Sequence, residues 1–181
     1  ALLVIGITAA RVSLDEERAV RAERDRVIAL QAAEAALHDA EREIEGGRDP
    51  VRAALFASGS AEGFAPQCGR QREINAGLCL PAGPHITPVW LATPLAEDSD
   101  DSSSVAYGRF TGATMPVGHG GLPQRLPRYL IELMPFARAG EDASARTGNF
   151  YRITAVGFGA QDQTRVVLQS FYLKAAAEGA P

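Results

Sequence analysis

The first 45 residues show three successive patterns of apolar and polar positions. Residues 1–10 are uncharged and mostly apolar, and residues 11–26 are dense in charges of both signs. Apolar residues then recur in steps of three and four, which places them on one face of a helix: Leu30, Ala33, Leu37, Ala40 and Ile44. Gly46-Gly47 ends this pattern, and no proline precedes Pro50. The patterns together predict one helix over 2–45, about 65 Å long.

A helix of this length needs packing partners, because helices of globular proteins average about 11–12 residues. Its second half has an apolar stripe that can dock on the rest of the chain. Its first half has no such stripe, so we expect it to contact lipid or other subunits. Residues 1–10 would span about 15 Å as a helix, about half of a bilayer core. Since Ala1 falls within an apolar run with no basic segment before it, we expect that further residues precede it in the natural protein.

The remaining sequence predicts a short helix, an irregular connection and a sheet. Asp49-Pro50 resembles the start of a helix that continues to about Ala57, and residues 58–104 are rich in Gly, Pro and Ser. Four strands are predicted, the last two joined by a hairpin turn over 159–163: Val105–Phe110, Tyr129–Met134, Phe150–Phe158 and Thr164–Leu173. Alternating apolar positions predict that one sheet face packs on the long helix, so the fold class is α+β.

Composition narrows the possible functions. The 181 residues carry a net charge of -4 and 46% hydrophobic residues, values typical of one folded domain. Basic residues are interspersed among acids, so charge does not indicate a surface for nucleic acid. The sequence contains no run of 18 apolar residues.

Several segments of the sequence resemble the PilX-type minor pilins of bacterial type IV pili. The segments on the predicted helix are Leu14-Asp15-Glu16-Glu17-Arg18, Arg24-Asp25-Arg26 and Gln31-Ala32-Ala33-Glu34-Ala35-Ala36-Leu37. Similarity to that family also occurs at residues 127–133, and at residues 151–155 taken together with residues 167–170. The chain departs from the family at Arg21-Ala22, where the family has a Gly-Asn pair; this change favours an unbroken helix.

The resemblance implies a pilin-like ladle: a long N-terminal α-helix packed on a small antiparallel β-sheet. We expect residues 1–28 to protrude and residues 29–181 to form the body, with an αβ connection over 46–104 and the sheet over 105–173. The implied function is assembly of the pilus without catalysis, within a minor-pilin complex that primes the pilus and supports a tip adhesin. The protein would be anchored in the inner membrane, with its body in the periplasm, and later reach the pilus tip.

The same resemblance suggests which residues meet other pilins. We expect the contact residues to be Leu2, Leu3, Val4, Ile5, Ile7, Leu14, Glu16, Glu17, Arg18, Arg24 and Arg26. The charged members of this set would fix the register against neighbouring helices, because charge pairs specify partners more than they add affinity. No cofactor, metal or nucleic acid is expected.

Two other functions remain open from the sequence. A pseudopilin of type II secretion would have the same ladle shape. A periplasmic or surface ligand-binding adhesive module could use the sheet and the loop around Trp90, since tryptophan is enriched at binding hot spots.

Cys68 and Cys79 are the only cysteines. The resemblance favours a disulfide between them, which would close a short loop and imply an oxidising compartment; two unrelated thiols are the alternative. The histidines (His38, His85 and His119) are too scattered to form a metal triad or a general base. The acidic run at 97–101 lacks the spacing of an EF-hand and is interpreted as a solvated, flexible loop rather than a calcium site. No motif for catalysis or phosphate binding is present.

Overall fold

The computed structural model describes residues 2–57, 61–135 and 148–175, and within the first of these ranges it describes side chains from Asp15 onward. These described residues form one long helix, two short helices and a five-stranded sheet. The predicted α+β ladle is confirmed.

The first helix, α1, runs without interruption from Leu2–Ile44. This confirms the single long helix that the sequence predicts. The helix ends at two glycines: Gly47 has a φ of 48°, in the left-handed region, and its amide donates to the carbonyl of Arg42 at 3.0 Å. Such a bond closes the last turn and satisfies a carbonyl that the helix itself leaves unpaired.

The second helix, α2, spans Pro50–Ala57, as predicted. The carboxylate of Asp49 accepts the amides of Val51 at 2.9 Å and Arg52 at 3.1 Å. Asp49 is therefore the N-cap that its position before Pro50 suggests.

The sheet contains β1 (Leu78–Cys79), β2 (Val105–Ala106), β3 (Arg128–Met134), β4 (Gly148–Phe158) and β5 (Arg165–Ala175). The strand order is β1-β3-β4-β5, with β2 also paired to β3. The hairpin of β4 and β5 is in register over eleven pairs, from Gly148 opposite Ala175 to Phe158 opposite Arg165. The sheet is mixed rather than wholly antiparallel as expected, because β1 pairs with β3 in parallel while the other strand pairs are antiparallel.

Two short elements were not predicted from the sequence: β1 and a third helix, α3, over Val89–Ala92. β1 has only two residues, too few for an alternating pattern to be visible. The predicted strand over 105–110 is also shorter than expected, since only Val105–Ala106 pairs with β3. Gly108 has a φ of 79° and turns the chain away from the sheet.

Hydrophobic clusters pack on both faces of β3 and β4, whereas β5 leaves Val167, Phe171 and Leu173 exposed. On one face, α1 and α2 pack on β3 and β4 around Tyr129, Ile131, Tyr151 and Ile153. On the other face, Leu130, Val156 and Phe158 pack against the connection that holds the disulfide and α3. The sheet thus lies between the long helix and the irregular connection, which confirms that one sheet face packs on the helix.

Candidate assembly interface

The exposed segment of α1, residues 15–24, lies on the surface of the molecule. Every side chain from Asp15 to Arg24 is exposed, and Asp25 is the first buried side chain along the described part of the helix. Val20 is 68% exposed although it is apolar. This segment consequently gains no stability from burial in the described body and offers a continuous helical surface to partners.

Ion pairs in the exposed segment connect residues of the same helix. Arg18 pairs with Asp15 at 3.6 Å, and Arg21 pairs with Glu17 one turn away. These side chains are more than half exposed, so each pair contributes little to stability. Their charges remain accessible to a neighbouring chain.

The structure places the other expected contact residues as follows. Glu16 and Arg26 are exposed, whereas the side chains of Leu2, Leu3, Val4, Ile5, Ile7 and Leu14 lie outside the described residues. Arg24 is exposed as well, but its guanidinium reaches the loop before β3: a Cβ built on Gly121 would be 2.9 Å from Arg24 Nη2. Arg24 therefore lies where the exposed segment meets the body.

The helix face that packs on the body differs from the expected stripe at its first member. Ala33, Ala40 and Ile44 are fully buried and Leu37 is partly buried, but Leu30 is 36% exposed. The buried face instead consists mainly of alanines: Ala29, Ala32, Ala33, Ala36 and Ala40. Small side chains let α1 approach β4 closely, and Leu30 lies off this face because it is about 100° around the helix from Ala29.

Asp25 anchors α1 to the hairpin of β4 and β5. Its Oδ1 atom accepts the amides of Ala160 at 2.5 Å and Gln161 at 3.3 Å, while its buried Oδ2 atom has no hydrogen-bond partner among the described residues. This role was not predicted, because residues 11–26 show only a dense run of charges of both signs. The signal was present in the spacing, since Asp25 lies on the same helix face as Ala29, Ala32 and Ala36.

Asp39 is a second buried carboxylate on this face. It accepts the amide of Gly108 at 2.7 Å and the hydroxyl of Thr111 at 2.5 Å, and it pairs with Arg42 at 3.1 Å. Asp39 therefore holds the turn that follows β2 against α1.

Glu43 forms the third buried contact, with Arg52 of α2 and Tyr129 of β3. Arg52 Nε donates to Glu43 at 2.5 Å, and the hydroxyl of Tyr129 donates to the same carboxylate. Burial raises the pKa of Glu43, against the opposing influence of Arg52 and Tyr129. Burial and the adjacent Glu43 raise the pKa of Tyr129. The arrangement joins three elements and has no access to solvent, which suits a structural role.

The disulfide is present between Cys68 and Cys79, with Cα atoms 4.1 Å apart. This confirms the pairing favoured by the resemblance. Cys79 belongs to β1 and both cysteines pack in the cluster behind the sheet, so the bond ties the irregular connection to the sheet.

The acidic run is paired with arginines. Asp98 contacts the buried Arg128 at 2.7 Å, Asp101 contacts Arg70 at 3.2 Å, and Asp100 pairs with Arg72. The side chains of Asp98, Asp100 and Asp101 are mostly exposed, so the run is solvated as expected, but each carboxylate also has an arginine partner that was not predicted. Arg128 also donates to Ser102, Ser104 and Gln71, so it organises the run around itself. These carboxylates act as counter-ions.

Other candidate chemistry is dispersed. His38, His85 and His119 lie on exposed positions of three different segments, and Trp90 is partly buried against the cluster behind the sheet. Within residues 2–57, 61–135 and 148–175, no His, Cys, Asp or Glu side chains converge into a group of three that could hold a metal ion. The described helices include none with the length and apolarity needed to cross a bilayer.

The family model described as "Type IV pilus assembly protein PilX C-term" matches residues 75–174, more than half of the chain. The match covers the second cysteine, the acidic run and nearly the whole sheet. Searches of curated proteins and of solved structures gave no significant match. The chain belongs to the PilX family of type IV pilus assembly proteins. Its role is thus in pilus assembly, as a structural component associated with the pilus.

Proposed function

We propose that the protein is a minor pilin of the complex that primes pilus assembly and supports an adhesin at the tip. Its long helix would be anchored in the inner membrane before assembly and packed among the helices of other minor pilins and the major pilin afterwards. The exposed segment carries this proposal, because ten consecutive helical residues there have no buried side chain. A helix of this length without tertiary packing is marginal in water, so a partner would supply the missing contacts.

The apolar side chains on the outer surface of α1 support a helical partner. Val20, Val27 and Leu30 are 68%, 40% and 36% exposed. Val20 and Val27 are separated by two turns and Leu30 follows almost one turn later, so the three lie on one side of the helix. They would form the apolar centre of a helix–helix contact, while Glu16, Glu17, Arg18, Arg24 and Arg26 would set its register.

The family match favours pilus assembly over the two alternatives. A secretion pseudopilin would share the ladle shape, but the matching family is described by its role in type IV pili. A ligand-binding module would use the groove of about 590 Å³ beside α3, which is lined by uncharged residues including Pro66, Ile86 and Val89. No described contact specifies a ligand for that groove.

The test compares two matched substitutions of exposed helical valines. Val20→Asp places a charge in the proposed contact, whereas Val51→Asp does so on α2, where the valine is 61% exposed. Burying a valine stabilises a contact by about 1.5 kcal/mol, which is about tenfold in affinity, and a buried aspartate would be worse. We expect Val20→Asp to lower the number of surface pili and the amount of other pilins co-purified with the full-length protein.

Each variant also needs a check of its fold. Thermal unfolding of the purified variants should match that of the unsubstituted protein, because both valines are exposed. Piliation and co-purification that respond equally to the two substitutions, or to neither, would contradict the proposed role of the exposed segment.

A further inference from the structure

A groove of about 570 Å³ runs along the body half of α1. His38, Glu41, Arg42 and Glu45 of the helix line it on one side. Tyr107, after β2, and Tyr172 of β5 line it on the other. The groove therefore combines charged helical side chains with two aromatic rings from different parts of the body.

Two carboxylates in the groove are not paired with an arginine or lysine of the described part of the chain. Glu41 contacts His38 Nδ1 at 3.1 Å, and Glu45 accepts the hydroxyl of Tyr172 at 2.7 Å. Among the residues that the structure describes, no arginine or lysine nitrogen lies within 4 Å of either carboxylate. The two negative charges are one helical turn apart and point to the same groove.

The one arginine that lines the groove is already neutralised. Arg42 pairs with the buried Asp39 at 3.1 Å, and a hydrogen bond with Tyr107 contributes to raising its pKa. The charges of Arg42 and Asp39 cancel, which leaves the groove with the charges of Glu41 and Glu45. The hydrogen bond to the Glu45 carboxylate raises the pKa of Tyr172 to about 12, as a negatively charged surrounding would.

We propose that this groove docks an arginine or lysine side chain from the α-helix of a neighbouring pilin subunit. A cation is complementary to the two unpaired carboxylates and gains further from contact with tyrosine rings. A partner helix that packs along the exposed segment of α1 and continues in the same direction would pass over the groove. The assignment of the docked side chain to a pilin helix therefore rests on the proposed function. The groove adds the chemistry of the partner: a basic side chain opposite Glu41 and Glu45.

The experiment uses the full-length protein in piliated cells, with the photo-crosslinker benzoylphenylalanine replacing His38 at the groove or Val20 in the exposed segment. Mass spectrometry of the crosslinked peptides identifies the residues opposite each position. We expect the position-38 crosslink to reach a pilin helix within one turn of an arginine or lysine. The double substitution Glu41→Arg and Glu45→Arg should reduce this product about tenfold, as expected when like charges meet.

Glu34→Arg is the matched control, because Glu34 is an exposed acid on the same helix that does not line the groove. It should leave the crosslink unchanged, and replacing the partner's basic residue by glutamate should restore the crosslink in the double variant. A crosslink to a segment without a basic residue, or one unaffected by the double substitution, would overturn the inference. Crosslinking from position 20 but not from position 38 would overturn it while leaving the proposed function intact; absence of both crosslinks would contradict both.

Discussion

The carboxylate of Asp25 lies in the space that a side chain at position 159 would occupy. A Cβ atom built on Gly159 would be 2.7 Å from Asp25 Cγ and closer still to its Oδ1. The glycine therefore lets the hairpin turn approach α1 until the amides of Ala160 and Gln161 reach the carboxylate. This is the most N-terminal buried contact of the described helix, so it marks where α1 leaves the body.

Replacing Asp25 by alanine should lower the free energy of unfolding by about 1–3 kcal/mol, because the amides of Ala160 and Gln161 would lose their charged acceptor. Asp25→Asn should lower it less, since the amide oxygen can still accept one of these bonds. Glu23→Ala is the control, because Glu23 is exposed two residues away. Urea unfolding of the three variants measures the differences. Equal stability of Asp25→Ala and Glu23→Ala would argue against the anchoring role.

Gly157 permits a close backbone approach between α1 and β4, and we expect Gly157→Ala to disrupt it. A Cβ at this position would be 3.0 Å from Ala33 Cα and nearer still to the Ala29 carbonyl oxygen and the Ala33 amide nitrogen. Backbone atoms cannot rotate away, so the helix would have to shift, at a cost of about 3 kcal/mol or more.

The control for this prediction is Gly83→Ala, where the nearest atom to the added Cβ is Ile86 Cδ1 at 3.6 Å. The midpoint of thermal unfolding should fall for Gly157→Ala and change little for Gly83→Ala. A Gly157→Ala protein as stable as the control would show that the helix can move away from β4 at little cost.

The sequence predicted those elements whose pattern is local and long. The helix Leu2–Ile44, the N-cap Asp49 and the hairpin of β4 and β5 all follow from periodicity or from a turn signal. β1 could not be predicted in this way, because its two residues are held by a parallel pairing with β3 more than fifty residues away. Contacts of that kind depend on the tertiary fold and leave no periodic signal.

The candidate interface could be predicted only in part. The density of charges correctly indicated that residues 15–24 have no apolar face for the body. Charge alone could not separate Asp25, which is buried, from Arg24 and Arg26, which are exposed. Likewise, the acidic run gave no sign of its pairing with Arg128, since thirty residues separate Asp98 from that arginine.

Arg52→Met should be strongly destabilising because it leaves Glu43 buried without its cationic partner. Arg52 is 1% exposed, and it also donates to the carbonyls of Ile74 and Ala76 at 2.7 and 2.8 Å. Removing one partner of a buried pair typically costs about 3–5 kcal/mol. Arg72→Met is the matched control, since its pair with Asp100 is exposed and contributes little to stability. Similar losses on urea unfolding would contradict the structural role of the buried pair.

Replacing both cysteines by alanine should lower the free energy of unfolding by about 3 kcal/mol, the value expected for closing a loop of this length. The unsubstituted protein under reducing conditions should lose the stability of loop closure alone, whereas the alanine variant also loses the packing of the two buried sulfur atoms. The two measurements separate the effect of the covalent bond from the packing of Cys68 and Cys79 in their cluster. If reduction leaves the unfolding midpoint unchanged, the disulfide does not stabilise the connection.

Alkaline pH should destabilise the protein through its tyrosines. Burial raises the pKa of Tyr151 to about 12, the hydrogen bond to Glu45 raises that of Tyr172 to about 12, and burial raises that of Tyr129. The unfolded chain releases these protons near pH 10, whereas the folded protein retains them, so the stability they confer is complete below pH 10 and is lost as the pH rises towards 12. The absorbance of tyrosinate should accordingly show Tyr129, Tyr151 and Tyr172 ionising at higher pH in the folded protein than in urea. Tyr172→Phe should reduce the fall in the midpoint of thermal unfolding between about pH 9 and 11. This pH range brackets the ordinary tyrosine pKa of about 10. If all four tyrosines of the folded protein ionise together near that value, the hydrogen bond between Tyr172 and Glu45 does not form in solution.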